Sequence, residues 1–162
     1  MEPAQHSEMT LQERIAAAMR DSMRARDSRR TTTLRMAMAA AHNREIELRR
    51  PLTDGDVLDV ITKQLKQRRE SIEMFRSGGR EQQAADEEAE AAILAEFLPE
   101  QLSEEELDRM VRAAIAESGA SSPQQMGQVM GRLAPQVKGR ADNRAVSELV
   151  RRLLAGTPEP GA

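Results

Sequence analysis

The chain has 162 residues, a formal net charge of −3, no cysteine, and only two aromatic residues, Phe75 and Phe97. This length suits one domain or two small ones. The lack of cysteine excludes disulfides and thiolate metal sites. No apolar run approaches the roughly 20 residues of a membrane span, and the N-terminus has no apolar stretch resembling a signal peptide. The expected setting is therefore cytoplasmic, with no membrane partner.

The small net charge conceals blocks of opposite sign. Residues 13–50 carry 10 Arg against 5 acidic residues, a net of +5. Residues 81–108 carry 11 acidic residues and no Lys or Arg, and residues 109–155 carry 8 basic against 3 acidic residues. Such blocks steer an anionic partner, let the acidic segment cover a basic one, or form solvated faces. With aromatics scarce, the core has to come from Leu, Ile, Val, Met and Ala, which favour helix.

Residues 1–9 are polar and expected to be loose. Thr10-Leu11-Gln12-Glu13 fits a capping box that opens a first helix. Leu11, Ile15, Ala18 and Met23 give its apolar stripe, with Met19 beside it. A second helix is expected over 29–49, with Leu34, Met38, Ala41 and Leu48 on one face. The run Thr31-Thr32-Thr33 lowers its local propensity, and Pro51 ends it. Thr53 caps a third helix, whose stripe is Val57, Ile61, Leu65, Ile72 and Phe75. Gly78-Gly79 breaks that helix. A fourth, very acidic helix follows over 80–97, with Ala84, Ala91, Leu94 and Leu98 inward, supported by Ile93 and Phe97. Leu98-Pro99-Glu100-Gln101-Leu102 marks a domain boundary, placing an N-terminal domain at 10–98 and a C-terminal one at 103–155. The four upstream helices suit a bundle or a pair of hairpins.

Ser103-Glu104-Glu105-Glu106 is a second capping box. Leu107, Met110, Val111, Ala114 and Ile115 form the inner face of the fifth helix, and Gly119 suits a left-handed stop. Ser122 is expected to cap a short sixth helix, with Pro123 in its first position and Pro135 stopping it after Leu133. The seventh runs from Asp142 to Leu154, with Val146, Leu149, Val150 and Leu153 inward. Residues 156–162 form a tail. The fold class is all-α.

Four stretches carry a family resemblance: residues 97–107 (Phe97-Leu98-Pro99-Glu100-Gln101-Leu102 onward), 117–122 (Glu117-Ser118-Gly119 onward), 126–131 (Met126-Gly127-Gln128-Val129-Met130-Gly131) and 138–142 (Lys138-Gly139-Arg140-Ala141-Asp142). In that order the chain resembles the GatB/YqeY family, in its free-standing YqeY-like form, from residue 9 to 155. Two positions depart from the family pattern: Ser147, where asparagine is expected, and Ala134, where the family often has methionine.

The resemblance implies two helical domains. The second is similar to the tail of the B subunit of glutamine-dependent aspartyl/glutamyl-tRNA amidotransferase, a tail that helps hold tRNA. It also implies a family-level link to carbon–nitrogen ligase activity with glutamine as amido-N-donor. Nothing in the chain resembles the catalytic parts of that enzyme. The expected function is a non-catalytic accessory module that contacts tRNA or a tRNA-handling enzyme. The alternative is a protein-interaction adaptor with no RNA role, using the acidic helix and the basic N-terminal helices.

Gly127 and Gly131 lie about one turn apart, so they share a face. Each costs roughly 1 kcal/mol relative to alanine in a helix interior. Close packing of another helix is the expected reason, and a smooth surface for a nucleic-acid backbone is the second. Lys138, Gly139 and Arg140 form a basic turn in which glycine lets the backbone come close and two cations can hold a phosphate. Arg144 is expected to join them in a nucleic-acid-binding patch; a solvated turn is the other reading. Base stacking has no aromatics to use here, so recognition of folded RNA by shape and phosphate fits better. Arg20, Arg24, Arg35, Lys63, Lys66, Arg68 and Arg69 form a second basic set, expected to be mainly solvated or paired. No catalytic residue, cofactor site or metal site is expected. His6 and His42 have no ligand pattern beside them, and no phosphate loop or nucleophile motif occurs.

Overall fold

The structure, a computed structural model, describes residues 9–156. The elements are α1 (Leu11–Arg24), α2 (Ser28–Leu48), α3 (Asp54–Ser77), α4 (Glu81–Ala95), α5 (Glu104–Ser118), a 3-10 turn (Pro123–Gln125), α6 (Met126–Val137) and α7 (Asn143–Leu154). Among the described residues every regular element is helical, so the fold is all-α. The chain divides into two compact units, 1–98 and 99–162. The N-terminal stretch expected to be loose, with His6, and the expected C-terminal tail fall outside the described residues apart from Met9 and Gly156. No described helix is long and apolar enough to cross a membrane.

In the first unit α1 packs along α2, and α3 along α4. The Thr10 hydroxyl accepts from the Glu13 amide, and the Glu13 carboxylate accepts in return from the Thr10 amide. The Leu11 amide donates to Asp54 Oδ1 at 2.9 Å, tying the start of α1 to the start of α3. Leu11, Ile15, Leu34, Ala37, Val57, Ile61, Leu65, Leu94 and Phe97 form the core.

One position of the α1 stripe differs from expectation. Met23 is 52% exposed, and Ser22 is buried in its place. The Ser22 hydroxyl reaches the Met19 carbonyl at 2.6 Å and the Thr31 hydroxyl at 2.7 Å, while Thr31 also donates to the Asp27 carbonyl. The threonine run thus has a positive role: its first hydroxyl pairs with Ser22 in the buried corner between α1 and α2.

The acidic helix is a largely paired one. All six carboxylates between 81 and 98 meet an arginine of α2 or α3. Arg29 holds Asp86 at 2.9 Å and Arg30 holds Glu96 at 2.6 Å. Arg76 pairs with Glu88 and, at 4.0 Å, with Glu81. Arg68 is buried, and its guanidinium lies between Glu87, at 3.2 Å, and Glu90. The exposed pairs each contribute about 0–1 kcal/mol. Four arginines answer six carboxylates, so the pairs offset most of the charge of this segment.

The second unit has its own core, made of Leu107, Val111, Ala114, Val129, Leu133, Val137, Val146, Val150 and Leu154 with Ala120. Ser103 and Glu106 form the expected capping box, and Gly119, at φ +68°, turns the chain out of α5. Two local expectations are corrected. Ser122 makes no side-chain cap bond; instead the Gln125 side-chain oxygen accepts from the Ser121 amide at 2.7 Å. Pro135 does not stop α6, which continues to Val137. A proline removes a single N–H from the helical ladder, and the buried Val137 anchors the remaining turn to the core.

Candidate nucleic-acid interface

The candidate surface is built from α6 and the turn that follows it. Val129, Leu133 and Val137 point α6 into the core, with Met126 and Met130 half-buried beside them. Helical spacing then puts Gly127, Gly131 and Ala134 together on the opposite side, and all three are exposed. A Cβ added to either glycine meets nothing within 4 Å. Among the described residues no neighbour packs on Gly127 or Gly131, where close packing of another helix is the expectation, so the face they share is open to that extent. Because Pro135 has no N–H, the Gly131 carbonyl also lacks its ordinary helical donor.

Beyond α6, the Val137 carbonyl accepts from the amides of Arg140, at 2.8 Å, and Ala141. Gly139 takes φ +71°, a left-handed conformation that glycine adopts without penalty. Lys138 is exposed at the start of this turn. The turn then closes on the segment that follows the unit boundary. The Gln101 side-chain amide donates to the Gly139 carbonyl at 2.7 Å, and the Leu102 amide donates to the Arg140 carbonyl at 2.8 Å. Arg140 Nε donates to the Glu100 carbonyl at 3.2 Å, and Arg140 Nη1 to the Gln136 carbonyl at 3.4 Å.

Arg140 therefore works first as a structural clasp. Its charge remains, and it contributes to the field around Glu106. The Ser103 amide and hydroxyl hold the Glu106 carboxyl below its ordinary value, helped less by Arg109 and Arg140 and opposed by burial. Arg144 sits apart in bonding terms: its side chain is 86% exposed and reaches Glu148 at 3.2 Å within α7. The bonds of Arg140 and Arg144 thus lead to different places.

Sequence reasoning missed Gln101, whose partner lies 38 residues away. No local pattern marks such a contact, although both ends of it lie in family-diagnostic stretches. The second basic set loses its centre, because Arg68 is committed to Glu87 and Glu90. His42 is exposed on α2. Among the described residues no group of three or more His, Asp or Glu is placed to hold a metal ion.

Comparison with known proteins places these features in a family. The family model described as Yqey-like protein matches residues 12–154. A protein of Pyrenophora tritici-repentis named altered inheritance of mitochondria protein 41, mitochondrial, is 30% identical over 87% of this chain and 79% of its own length. An uncharacterized Schizosaccharomyces pombe protein is 34% identical over 57% of this chain and 76% of its own length. An Eremothecium gossypii protein with the same name as the first is 33% identical over 49% of this chain and 44% of its own length. The first and third of these relatives are named as mitochondrial proteins, which overturns the expected cytoplasmic setting, an expectation that rested only on the absence of a signal-like or membrane-spanning stretch. Matched from the first helix to the last, and aligned with a relative over most of both chains, the chain belongs to the Yqey-like protein family.

Proposed function

We propose that this protein is a non-catalytic accessory module that contacts folded RNA, tRNA above all, through the open face of α6 and the turn after it. The observation that carries this reading is the exposure of Gly127 and Gly131. Interior glycines cost a helix roughly 1 kcal/mol each relative to alanine. No described residue needs the space they leave. Close approach by something outside the molecule accounts for that cost. A sugar-phosphate backbone can lie flat on such a face, and a ribose 2′-hydroxyl can donate to the Gly131 carbonyl that Pro135 leaves without its helical donor. Lys138 and Arg144 supply phosphate contacts, and Arg140 shapes the turn while adding its charge.

In this reading the amidotransferase link is one of association: the chain delivers or steadies RNA for an enzyme that uses glutamine as amide donor, and carries out no ligase chemistry itself. The adaptor reading with no RNA role has less support, because every carboxylate of its acidic segment already meets an arginine of α2 or α3. The test is tRNA binding to the purified chain by fluorescence anisotropy over a range of salt. Affinity falls linearly on a log–log plot, and Lys138→Ala and Arg144→Ala weaken binding uniformly across tRNAs. No binding at low salt, or tight binding that survives high salt, sinks the proposal.

A further inference from the structure

The turn after α6 depends on a residue with little conformational preference of its own. Lys138, at φ −54° and ψ 119°, and Gly139, at φ +71°, are the central residues of a turn that the Arg140 amide closes on the Val137 carbonyl at 2.8 Å. Those angles describe a type II turn. Glycine passes readily between left- and right-handed backbone conformations, so residue 139 does not keep this shape unaided. A change there turns the peptide planes on either side of it and moves the Lys138 side chain.

Its restraint comes from 38 residues away in the sequence. The Gln101 side-chain amide donates to the Gly139 carbonyl at 2.7 Å and to the Pro99 carbonyl at 2.9 Å, which uses both of its hydrogens. Gln101 reaches the turn from an anchored segment: Leu102 packs against the core of the unit, and Ser103 caps α5. The Leu102 amide and the Glu100 carbonyl also bond the turn, but both act on Arg140. Among the described residues Gln101 alone bonds Gly139. An exposed hydrogen bond contributes modestly to stability, and the neighbouring bonds already join the two stretches. What Gln101 adds is control of the one flexible residue next to Lys138.

We infer that Gln101 is a positioning residue for phosphate recognition: it fixes the Gly139 backbone so that Lys138 meets a phosphate in one geometry. This role rests on the RNA reading above and extends it to the 99–102 stretch, which that reading leaves without a part. A long lysine side chain loses conformational freedom on binding, and a fixed backbone beneath it reduces that loss. Arg144 supplies the internal contrast, because its side chain bonds Glu148 within α7 and makes no bond to the clasp.

The test uses the full chain and tRNA, with binding followed by fluorescence anisotropy over a salt series. Gln101→Met keeps the length of the side chain and removes both donor hydrogens. It is expected to lower affinity about threefold near 0.1 M salt, against roughly tenfold for Lys138→Ala, and to flatten the salt dependence in the same direction. Because Gln101 acts through Lys138, Gln101→Met adds no further loss in a Lys138→Ala background. In an Arg144→Ala background it keeps its full effect. A merely structural role lowers affinity by the same factor in both backgrounds. Urea denaturation of each variant corrects for any unfolded fraction. The inference is overturned, with the RNA reading intact, if the parent chain binds tRNA and Gln101→Met either leaves affinity unchanged or costs the same in both backgrounds. Absence of tRNA binding by the parent chain at low salt removes the RNA reading and this role with it.

Discussion

The side-chain amide of Gln101 donates to the carbonyl of Gly139 at 2.7 Å. The Leu102–Arg140 backbone bond and the Arg140–Glu100 contact lie beside it. Two stretches of the chain that look like separate motifs are therefore the two halves of one clasp. The basic turn is held in shape from behind by the segment after the unit boundary, which fixes how Lys138 and the Gly139 backbone are presented. A role in binding and a role in structure are not alternatives for Arg140, since its geometry serves the second while its charge is available to the first.

Gln101→Ala removes the donor to Gly139 and to the Pro99 carbonyl. The side chain is exposed, so the stability cost is about 0.5–1 kcal/mol, read from urea denaturation. The more telling measurement is hydrogen exchange. The Leu102 amide, bonded to Arg140, is expected to exchange faster in the variant, while amides in the middle of α5 keep their protection. Unchanged protection at Leu102 would show that the backbone bond holds the clasp without Gln101.

Gly131→Ala is expected to stabilise the protein by about 1 kcal/mol, because alanine is the better helix former and its methyl group meets nothing. Gly127→Ala gains less, as it lies in the first turn of α6. A bulky substitution such as Gly131→Leu at this exposed site also leaves the fold intact. If the α6 face receives RNA, the same leucine lowers tRNA affinity while thermal stability holds. A variant that keeps both full stability and full affinity would remove the glycine face from the binding surface.

Much of this architecture is legible in the sequence because its signals are local. Thr10 with Glu13 and Ser103 with Glu106 announce helix starts within four residues, and Gly119 and Pro51 announce stops near where they occur. What escapes is set by contacts between elements. The charge segregation shows that α4 is acidic, but which arginines answer it depends on how α2, α3 and α4 pack. The glycine pair is visible, but whether it faces a neighbour or solvent depends on where the α6 core face points. Pro135 reads as a stop because the core contact of Val137, which carries the helix past it, is tertiary.

Arg68 is the cation on which α3 and α4 depend most. Removing it leaves Glu87 and Glu90 facing each other across the space it filled, and breaking a buried pair typically costs about 3–5 kcal/mol. Both glutamates retain some solvent access, at 26% and 29% of side-chain area, so Arg68→Ala is expected to cost about 2–3 kcal/mol. Arg68→Met in a background of Glu87→Gln and Glu90→Gln should recover most of that loss, since the stranded charges are gone. Chemical denaturation of the variants checks this: failure of the triple variant to recover would mean that the ion pairs and hydrogen bonds of Arg68 themselves, and not the stranded carboxylates, carry the loss.

Asp56 gives the molecule a predictable acid sensitivity. Its carboxylate accepts two hydrogen bonds from Arg50, at 2.7 and 3.2 Å, and one each from the Thr53 amide and hydroxyl. Arg50 is the largest influence and the Thr53 amide the next, and together they hold the Asp56 carboxyl well below the ordinary carboxylate range. A carboxyl whose folded value is depressed favours the folded state above its unfolded value of about 3.9 and loses that contribution as pH falls toward the folded value. Asp56→Asn removes the ionised partner at every pH. The urea midpoints of the parent and this variant should therefore differ by a constant amount between about pH 7 and pH 5, and converge below about pH 4 as the aspartate protonates. Thr53→Ala should narrow the same gap by raising the Asp56 value. A parent–variant difference that stays constant into strong acid would show that Asp56 acts as a neutral hydrogen-bond acceptor, with no contribution from its charge.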